Sequence, residues 1–434
     1  MKAVVPMTNK PRILIVGGGF GGITLAKALR NSPFQIVMID KHNYHTFQPL
    51  LYQVATGGLE PDSIAFPLRK IFKNQENFIF RIASVESVDT TRNIVNTTIG
   101  EIRYDYLVLA TGSATNFFGM NDLEQEAVGM KSIPEALDLR SLILQNFETA
   151  LQQSNGEIKD VLLKFVIVGG GPTGVETAGA LAELKRHVLP SDYPELDLRQ
   201  MEIHLLEAGD QLLAGMSEKS SKDAKGALED LGVHVWLNTK VTGYDGTHIS
   251  TNLEKDFEAS TVIWAAGVKG NLIDGLGKEV VERGNRLAVD EFNKVKGYSN
   301  VFAIGDLALM RTETYPNGHP QVAPVAIQQG ERLGKNMLRL NKKRELVAFS
   351  YFDKGSMATI GRNKAVVDFR KLHLKGFIAW LGWMFVHILY LIGFRNRLVV
   401  FVNWVWSYFT YDKGTRLIIR PFKKRSKEEM LTGS

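Results

Sequence analysis

The sequence contains no cysteine in 434 residues. That absence excludes disulfides, thiolate metal sites, iron–sulfur clusters and covalent haem attachment. It also excludes any reaction that runs through a protein thiol. The net charge of +6 is not organised around a base-reading motif, which argues against nucleic acid as a partner. The positive charge gathers instead in a C-terminal tail poor in acids, where apolar runs alternate with arginine and lysine. Such a tail suits an anionic membrane surface. The opening stretch, MKAVVPMTNKPRILIVGGG, lacks the apolar core and cleavage site of a signal peptide, so the main body is expected in the cytoplasm.

What is present is a folded composition, 44% hydrophobic and 23% charged, on a chain long enough for two or more domains. One plan occurs twice. RILIVGGGFGGITLAKALR, from Arg12, and KFVIVGGGPTGVETAGALAEL, from Lys164, each read as a buried strand, a glycine turn and a helix. Each continues to a strand ending in an acid, QIVMID at Asp40 and EIHLLE at Glu207. Each closes on a strand and a small-residue turn, YLVLATG at Gly112 and TVIWAAG at Gly267. Gly17 to Gly112 spans 95 residues and Gly169 to Gly267 spans 98, a near-equal spacing that accident does not supply. Asn116 to Ser132 reads as the linker, and residues 345–370 alternate like strands.

Gly17, Gly19 and Gly22 occupy the places of a G-x-G-x-x-G loop, as do Gly169, Gly171 and Gly174. Glycines there allow a tight turn and let backbone approach a pyrophosphate at a helix N-terminus. A glycine-rich turn can also serve packing alone. The acid at the next strand end favours a dinucleotide, because a carboxylate can take a ribose hydroxyl. At Glu207 it would also repel a 2′-phosphate, favouring NADH over NADPH; the plainer alternative is a surface glutamate. Gly305-Asp306 ends a third buried strand, VFAIGDLAL, where the aspartate could face a flavin or cap the following helix.

Hydride from NADH can pass to FAD. Without thiols, reduced flavin must hand electrons directly to an external acceptor. The tail bears on which. Phe377 to Phe394 carries no formal charge, and by length it could form a helix of about 27 Å, enough to cross a bilayer. Crossing would carry Arg395, Arg397, Arg416, Arg420, Lys423, Lys424 and Arg425 to the wrong side. A helix lying in the interface costs less, and a buried core helix or dimer interface is the soluble alternative. Four of the six tryptophans fall in Phe377–Phe394 and Leu398–Phe409, and such residues gather at membrane boundaries. A quinone is the acceptor that a membrane-seated flavoenzyme would meet.

With these residues in view, the chain resembles the type II NADH:quinone oxidoreductases, the single-chain alternative NADH dehydrogenases. The segments that carry the resemblance are GGGFGG, KHNYHTFQPLLYQVATGGLEP, GGGPTGVETAGALAEL, VFAIGDLA, GSMATIGRNKAVVD and the aromatic tail. It implies an α/β fold with two Rossmann-like domains and a C-terminal membrane-associated helical segment. The FAD domain would comprise 1–118 and 270–345, the NADH domain 119–269, and the C-terminal strands and anchoring helices 346–434. FAD would be held by Gly17, Gly19, Gly22, Asp40, Thr111, Gly112, Gly305 and Asp306. NADH would be held by Gly169, Gly171, Gly174, Glu207 and Gly267.

The resemblance places Thr46 to Gln53 beside the flavin ring, with Gln48 and Pro49 on the quinone approach. Glu176 would act near nicotinamide, flavin and quinone, either orienting the carboxamide or handling a proton; its simpler reading is a favourable charge at a helix N-terminus. A family A-Q-x-A-x-Q motif reads here as Ala323-Pro324-Val325-Ala326-Ile327-Gln328. Proline stands where the family has its first glutamine, so Ala323 and Gln328 are the quinone-side candidates. The resemblance further implies a homodimer, ubiquinone or menaquinone as substrate, and peripheral attachment at the cytoplasmic face of the cell membrane, with no proton pumping. Reduction of a soluble carrier, or redox sensing without turnover, are the competing functions.

Overall fold

The computed structural model describes residues 5–253 and 255–423, which leaves Lys424 and Arg425 of the basic tail outside the described residues. The chain separates into two compact units. The first comprises Met1–Thr46, Ala65–Ala114 and Val268–Lys354, and the second Phe47–Ile64, Thr115–Gly267 and the chain from Gly355.

In the first unit, five parallel strands lie in the order Val301–Ala303, Tyr106–Leu109, Arg12–Val16, Gln35–Asp40 and Phe78–Ile82. Both faces of the sheet are covered, which is why ILIV and IVMI are unbroken apolar runs rather than alternating ones. Helix Phe20–Ala28 follows the glycine turn. Helix Ala323–Asn341 lies against it at very close range: a Cβ on Gly330 would stand 2.6 Å from Gly21 O, and one on Gly334 would stand 2.6 Å from Ala28 Cβ. Those two glycines set the distance between the helices.

The second unit repeats the sheet, with parallel strands ordered Val128–Gly129, Thr261–Trp264, Lys164–Val168, Glu202–Leu206 and His234–Trp236. The stretch read as a linker supplies its edge strand, Val128–Gly129, and a short helix, Asn121–Glu126, seated by buried Leu123. Two-residue pairing is too short to leave a period in the sequence. The antiparallel strands begin at Ser356, later than the alternation suggested: Ser356–Gly361, Lys364–Phe369 and Leu372–Lys375. They pack with helix Pro172–His187 and belong to the second unit rather than to a separate third region. Residues 346–354 go with the first unit, where Phe349 N bonds Glu291 O at 2.8 Å.

The tail forms helices Gly376–Tyr390 and Phe394–Thr410. Among the described residues no helix is long and apolar enough to cross a membrane. The two helices bury one narrow stripe and leave the other faces half-buried or exposed. Ala379, Trp383 and His387, and likewise Asn396, Val400 and Trp404, recur at a spacing of four and are buried. Phe385, Phe394, Trp406 and Phe409 are exposed, Phe409 at 77%. An apolar surface of that kind is costly in water.

Candidate active site

Each glycine of the first loop meets a different demand. Gly17 has φ +111°, and a Cβ there would stand 2.2 Å from Ala110 O. A Cβ on Gly18 would press on Leu68 at 2.7 Å and Asp40 Oδ2 at 3.3 Å, and one on Gly22 would meet Gly17 O at 2.0 Å. Gly19 is different: apart from its own chain neighbours nothing lies within 4 Å of its Cβ position, yet it is the N-cap of helix Phe20–Ala28 and offers no side chain to the first-turn N–H groups. Packing therefore accounts for Gly17, Gly18 and Gly22, and it leaves the position of Gly19 open to a ligand.

The second loop reproduces this pattern. Gly169 also has φ +111°, a Cβ on Gly170 would press on Leu212 and Glu207, and one on Gly174 would meet Gly169 O at 1.9 Å. Gly171, the uncapped N-cap of helix Pro172–His187, again has nothing within 4 Å. The open position, at a helix N-terminus that no side chain caps, fits a pyrophosphate in each unit.

Both acids brace their loops. Asp40 accepts from Gly18 N at 2.6 Å and from His42 N at 2.8 Å. Glu207 accepts from Gly170 N at 2.5 Å and from Gly209 N at 2.7 Å. Each oxygen takes one N–H, so a second lone pair on each stays open to a ribose hydroxyl. Bracing is a role that strand-end spacing alone did not reveal.

The remaining candidates of the first unit cluster at the same carboxyl ends of the strands, where open α/β sheets bind ligands. Asp306 Oδ2 accepts from Ser113 Oγ at 2.6 Å, and Thr111 Oγ1 donates to Asn271 O at 2.6 Å. Gly112 and Gly305 have positive φ, and Gly305 N donates to buried Gln329 Oε1 at 2.7 Å. Gly267, in the second unit, accepts from Asn116 N at 3.1 Å.

Of the quinone-side candidates, Ala323 and Gln328 fall in the first unit and Gln48 and Pro49 in the second. Ala323 opens its helix, so Pro324 stands in the first turn, where a missing N–H costs nothing. Gln328 is half-buried and tied to the backbone: its amide donates to Phe352 O and accepts from Phe352 N, both at 2.9 Å. One amide N–H is left for any other partner. Gln48 is exposed in the turn Gln48–Leu50, with a long 3.4 Å contact to Lys131 O.

Glu176 is buried in helix Pro172–His187 rather than displayed at its N-terminus. Burial pushes its carboxyl up to about 8, against two N–H donors that favour the anion, Thr359 N at 3.5 Å and Trp383 Nε1 at 3.3 Å. Both donors reach Oε1, which leaves Oε2 to carry the proton at neutral pH. Tyr52 lies close enough to Glu176 that the carboxylate raises its hydroxyl, on top of a larger effect from burial.

The sequence reading missed Thr359 and Trp383 as site residues and named Tyr52 only within Thr46 to Gln53, the stretch placed beside the flavin ring. It sent the tail tryptophans to the membrane boundary, but Trp383 is 2% exposed and Trp404 is buried, whereas Trp406 is 61% exposed. The fourfold spacing of Ala379, Trp383 and His387 was the available signal.

Two family profiles match the sequence: pyridine nucleotide-disulphide oxidoreductase over residues 11–330 and NDH2 C-terminal domain over 354–410. A type II NADH:quinone oxidoreductase of Mycobacterium tuberculosis is 36% identical over 425 residues, covering 94% of this chain and 90% of the relative. The chain belongs to the type II NADH:quinone oxidoreductases. A Staphylococcus aureus member is 29% identical over 366 residues, covering 82% of this chain and 89% of its own. The solved structure of NDH2 from Plasmodium falciparum in complex with NADH shares the fold, with TM-score 0.86, 23% identity, and coverage of 95% and 100%. The disulphide chemistry in the broader family's name is not available here, because this chain has no cysteine.

Proposed function

We propose that this type II enzyme oxidises NADH through FAD and reduces a membrane quinone from the cytoplasmic face, as a monotopic homodimer that pumps no protons. One observation carries the reading: two copies of a loop, each with a glycine that packing does not require, in a chain with no thiol. When bound, FAD supplies an acceptor for hydride from NADH and a donor of two electrons to quinone.

The first unit, 1–46, 65–114 and 268–354, is the FAD domain, where the sequence reading expected 1–118 and 270–345; 119–267, within the second unit, is the NADH domain, against an expected 119–269; and helices Gly376–Tyr390 and Phe394–Thr410 anchor the chain. Gly17, Gly19 and Gly22 shape the first cradle, with Asp40 on the ribose. Thr111, Gly112, Gly305 and Asp306 line the carboxyl ends of the same strands. Gly169, Gly171, Gly174, Glu207 and Gly267 do the same for NADH. Glu207 sets the preference against a 2′-phosphate.

Glu176, protonated at neutral pH, donates from Oε2 rather than accepting. As quinone takes up two electrons and two protons, Glu176 gives one of the protons, water supplies the other, and Glu176 is reprotonated from water. Gln48, Pro49, Ala323 and the remaining amide N–H of Gln328 serve the quinone side. The exposed apolar stripe of the tail helices seats the protein in the lipid interface, where the quinone resides.

Steady-state assays test the function. Purified, flavin-loaded protein should oxidise NADH rapidly with a short-chain quinone, and slowly with a ferredoxin or with no acceptor. A rate that quinone does not raise refutes the assignment, and stimulation by ferredoxin alone would favour a soluble-carrier reductase.

A further inference from the structure

Both tail helices turn one tryptophan away from the exposed stripe and into a buried polar set. Trp383 Nε1 donates to Glu176 Oε1 at 3.3 Å. Trp404 Nε1 donates to Gln53 Oε1 at 2.7 Å, and Gln53 Nε2 donates to the Tyr52 hydroxyl at 2.8 Å. The indole of Trp383 is held in place from two sides, stacked on His387 with centroids 4.0 Å apart and packed against Trp404 at 5.4 Å. His387 in turn bonds Trp383 O through Nδ1 at 2.7 Å and meets the Phe47 ring edge at 6.0 Å. An anchor needs none of this. Lipid contact asks only for apolar surface, and a tryptophan serving as a boundary residue would direct its N–H toward headgroups.

We propose that Trp383 is a positioning residue for Glu176, so that the tail is a working wall of the acid site as well as a membrane anchor. This rests on the reading of Glu176 as the proton donor of quinone reduction. The indole N–H fixes Oε1 and thereby orients Oε2, the oxygen left to hold the proton. Trp404, through Gln53 and Tyr52, braces the other side.

The groups facing Glu176 are Tyr52, the Thr359 N–H, the Trp383 N–H and, behind the indole, His387. Burial holds the His387 imidazole at about 4 and therefore neutral through the working range. Glu183, further along the Glu176 helix, also acts on Tyr52. The shift of Glu176 itself comes from burial and from the two N–H bonds, with no charged neighbour contributing.

The test is a carboxyl infrared titration of full-length, flavin-loaded protein, with Glu176→Gln identifying the band, run beside the pH profile of quinone turnover. Trp383→Phe keeps an aromatic ring but removes a donor that favours the anion. The Glu176 midpoint should therefore rise, by roughly half a pH unit to one unit. The alkaline limb of quinone turnover should move with it, whereas KM for NADH stays put.

An unchanged midpoint overturns the proposal, and so does a shifted midpoint with an unshifted turnover profile. If Trp383→Phe does not fold, the indole 15N–H resonance of Trp383 in the unaltered protein decides: it should titrate with Glu176 and lose that titration in Glu176→Gln. A resonance that ignores pH refutes the contact. Lack of quinone turnover in the unaltered protein would instead be a failure of the functional assignment, visible before any variant is made.

Discussion

Glu176 sits where desolvation and hydrogen bonding oppose one another, and desolvation wins: the carboxyl is held up to about 8, from 4.5. The sign of the consequence for stability follows. Between those two values the folded chain keeps a proton that the unfolded chain has released, so stability falls as pH rises through this window. The slope for one such proton is about 1.4 kcal/mol per pH unit. Glu176→Gln has no proton to lose. Its stability, measured by urea unfolding from pH 6 to 8, should fall less steeply than that of the unaltered protein by up to that amount. Parallel curves would show that Glu176 ionises in the folded state as it does in solution. None of this was legible in TGVE. The sequence placed a carboxyl near a helix start, and only the packing of Thr359 and Trp383 around it turned a solvated charge into a buried acid.

Among the elements, the glycine loops were the most legible part of the chain and the tail helices the least. The loops can be read because their constraints act on the residue itself: a φ of +111° at Gly17 and at Gly169, or a carbonyl 2.0 Å from a would-be Cβ at Gly22, leaves a mark that no other residue type can make. The tail cannot be read that way. A tryptophan turned toward lipid and one turned toward Glu176 are the same letter, and in a segment apolar on all sides the period fades. The bonds of Gln328 were illegible for a related reason, since both go to the backbone of Phe352, distant in sequence. The distinction between packing and ligand glycines can be tested. Gly19→Ala should fold with a loss of about 1 kcal/mol or less, from a poorer N-cap, yet bind FAD weakly, seen as a colourless protein after purification. Gly22→Ala should be strongly destabilised, because a backbone carbonyl must move. Equal flavin content in Gly19→Ala and the unaltered chain would mean that the open position is not where the ligand lies.

For the molecule as a whole, the question is what its exposed apolar surface is for. Phe385 is 64% exposed and Trp406 61%, with Phe394 and Phe409 more so, yet no described helix is long and apolar enough to cross a bilayer. Water is a poor solvent for that stripe, and burying each large side chain gains about 1.5–3 kcal/mol. The flanking cations add attraction to an anionic surface that salt screens, whereas the apolar term is not screened. The two contributions can therefore be separated. Replacing Phe385 and Trp406 together by serine should weaken binding to vesicles of phosphatidylcholine and phosphatidylglycerol by at least roughly a hundredfold, at low and at high salt alike. Raising salt should weaken binding of the unaltered protein only in part. The serine pair leaves the inward stripe of Trp383 and Trp404 intact, so the flavin should stay bound and Glu176 should titrate as before. Cosedimentation with vesicles that is indifferent to the serine pair would move the anchor elsewhere and leave the stripe to another copy of the chain.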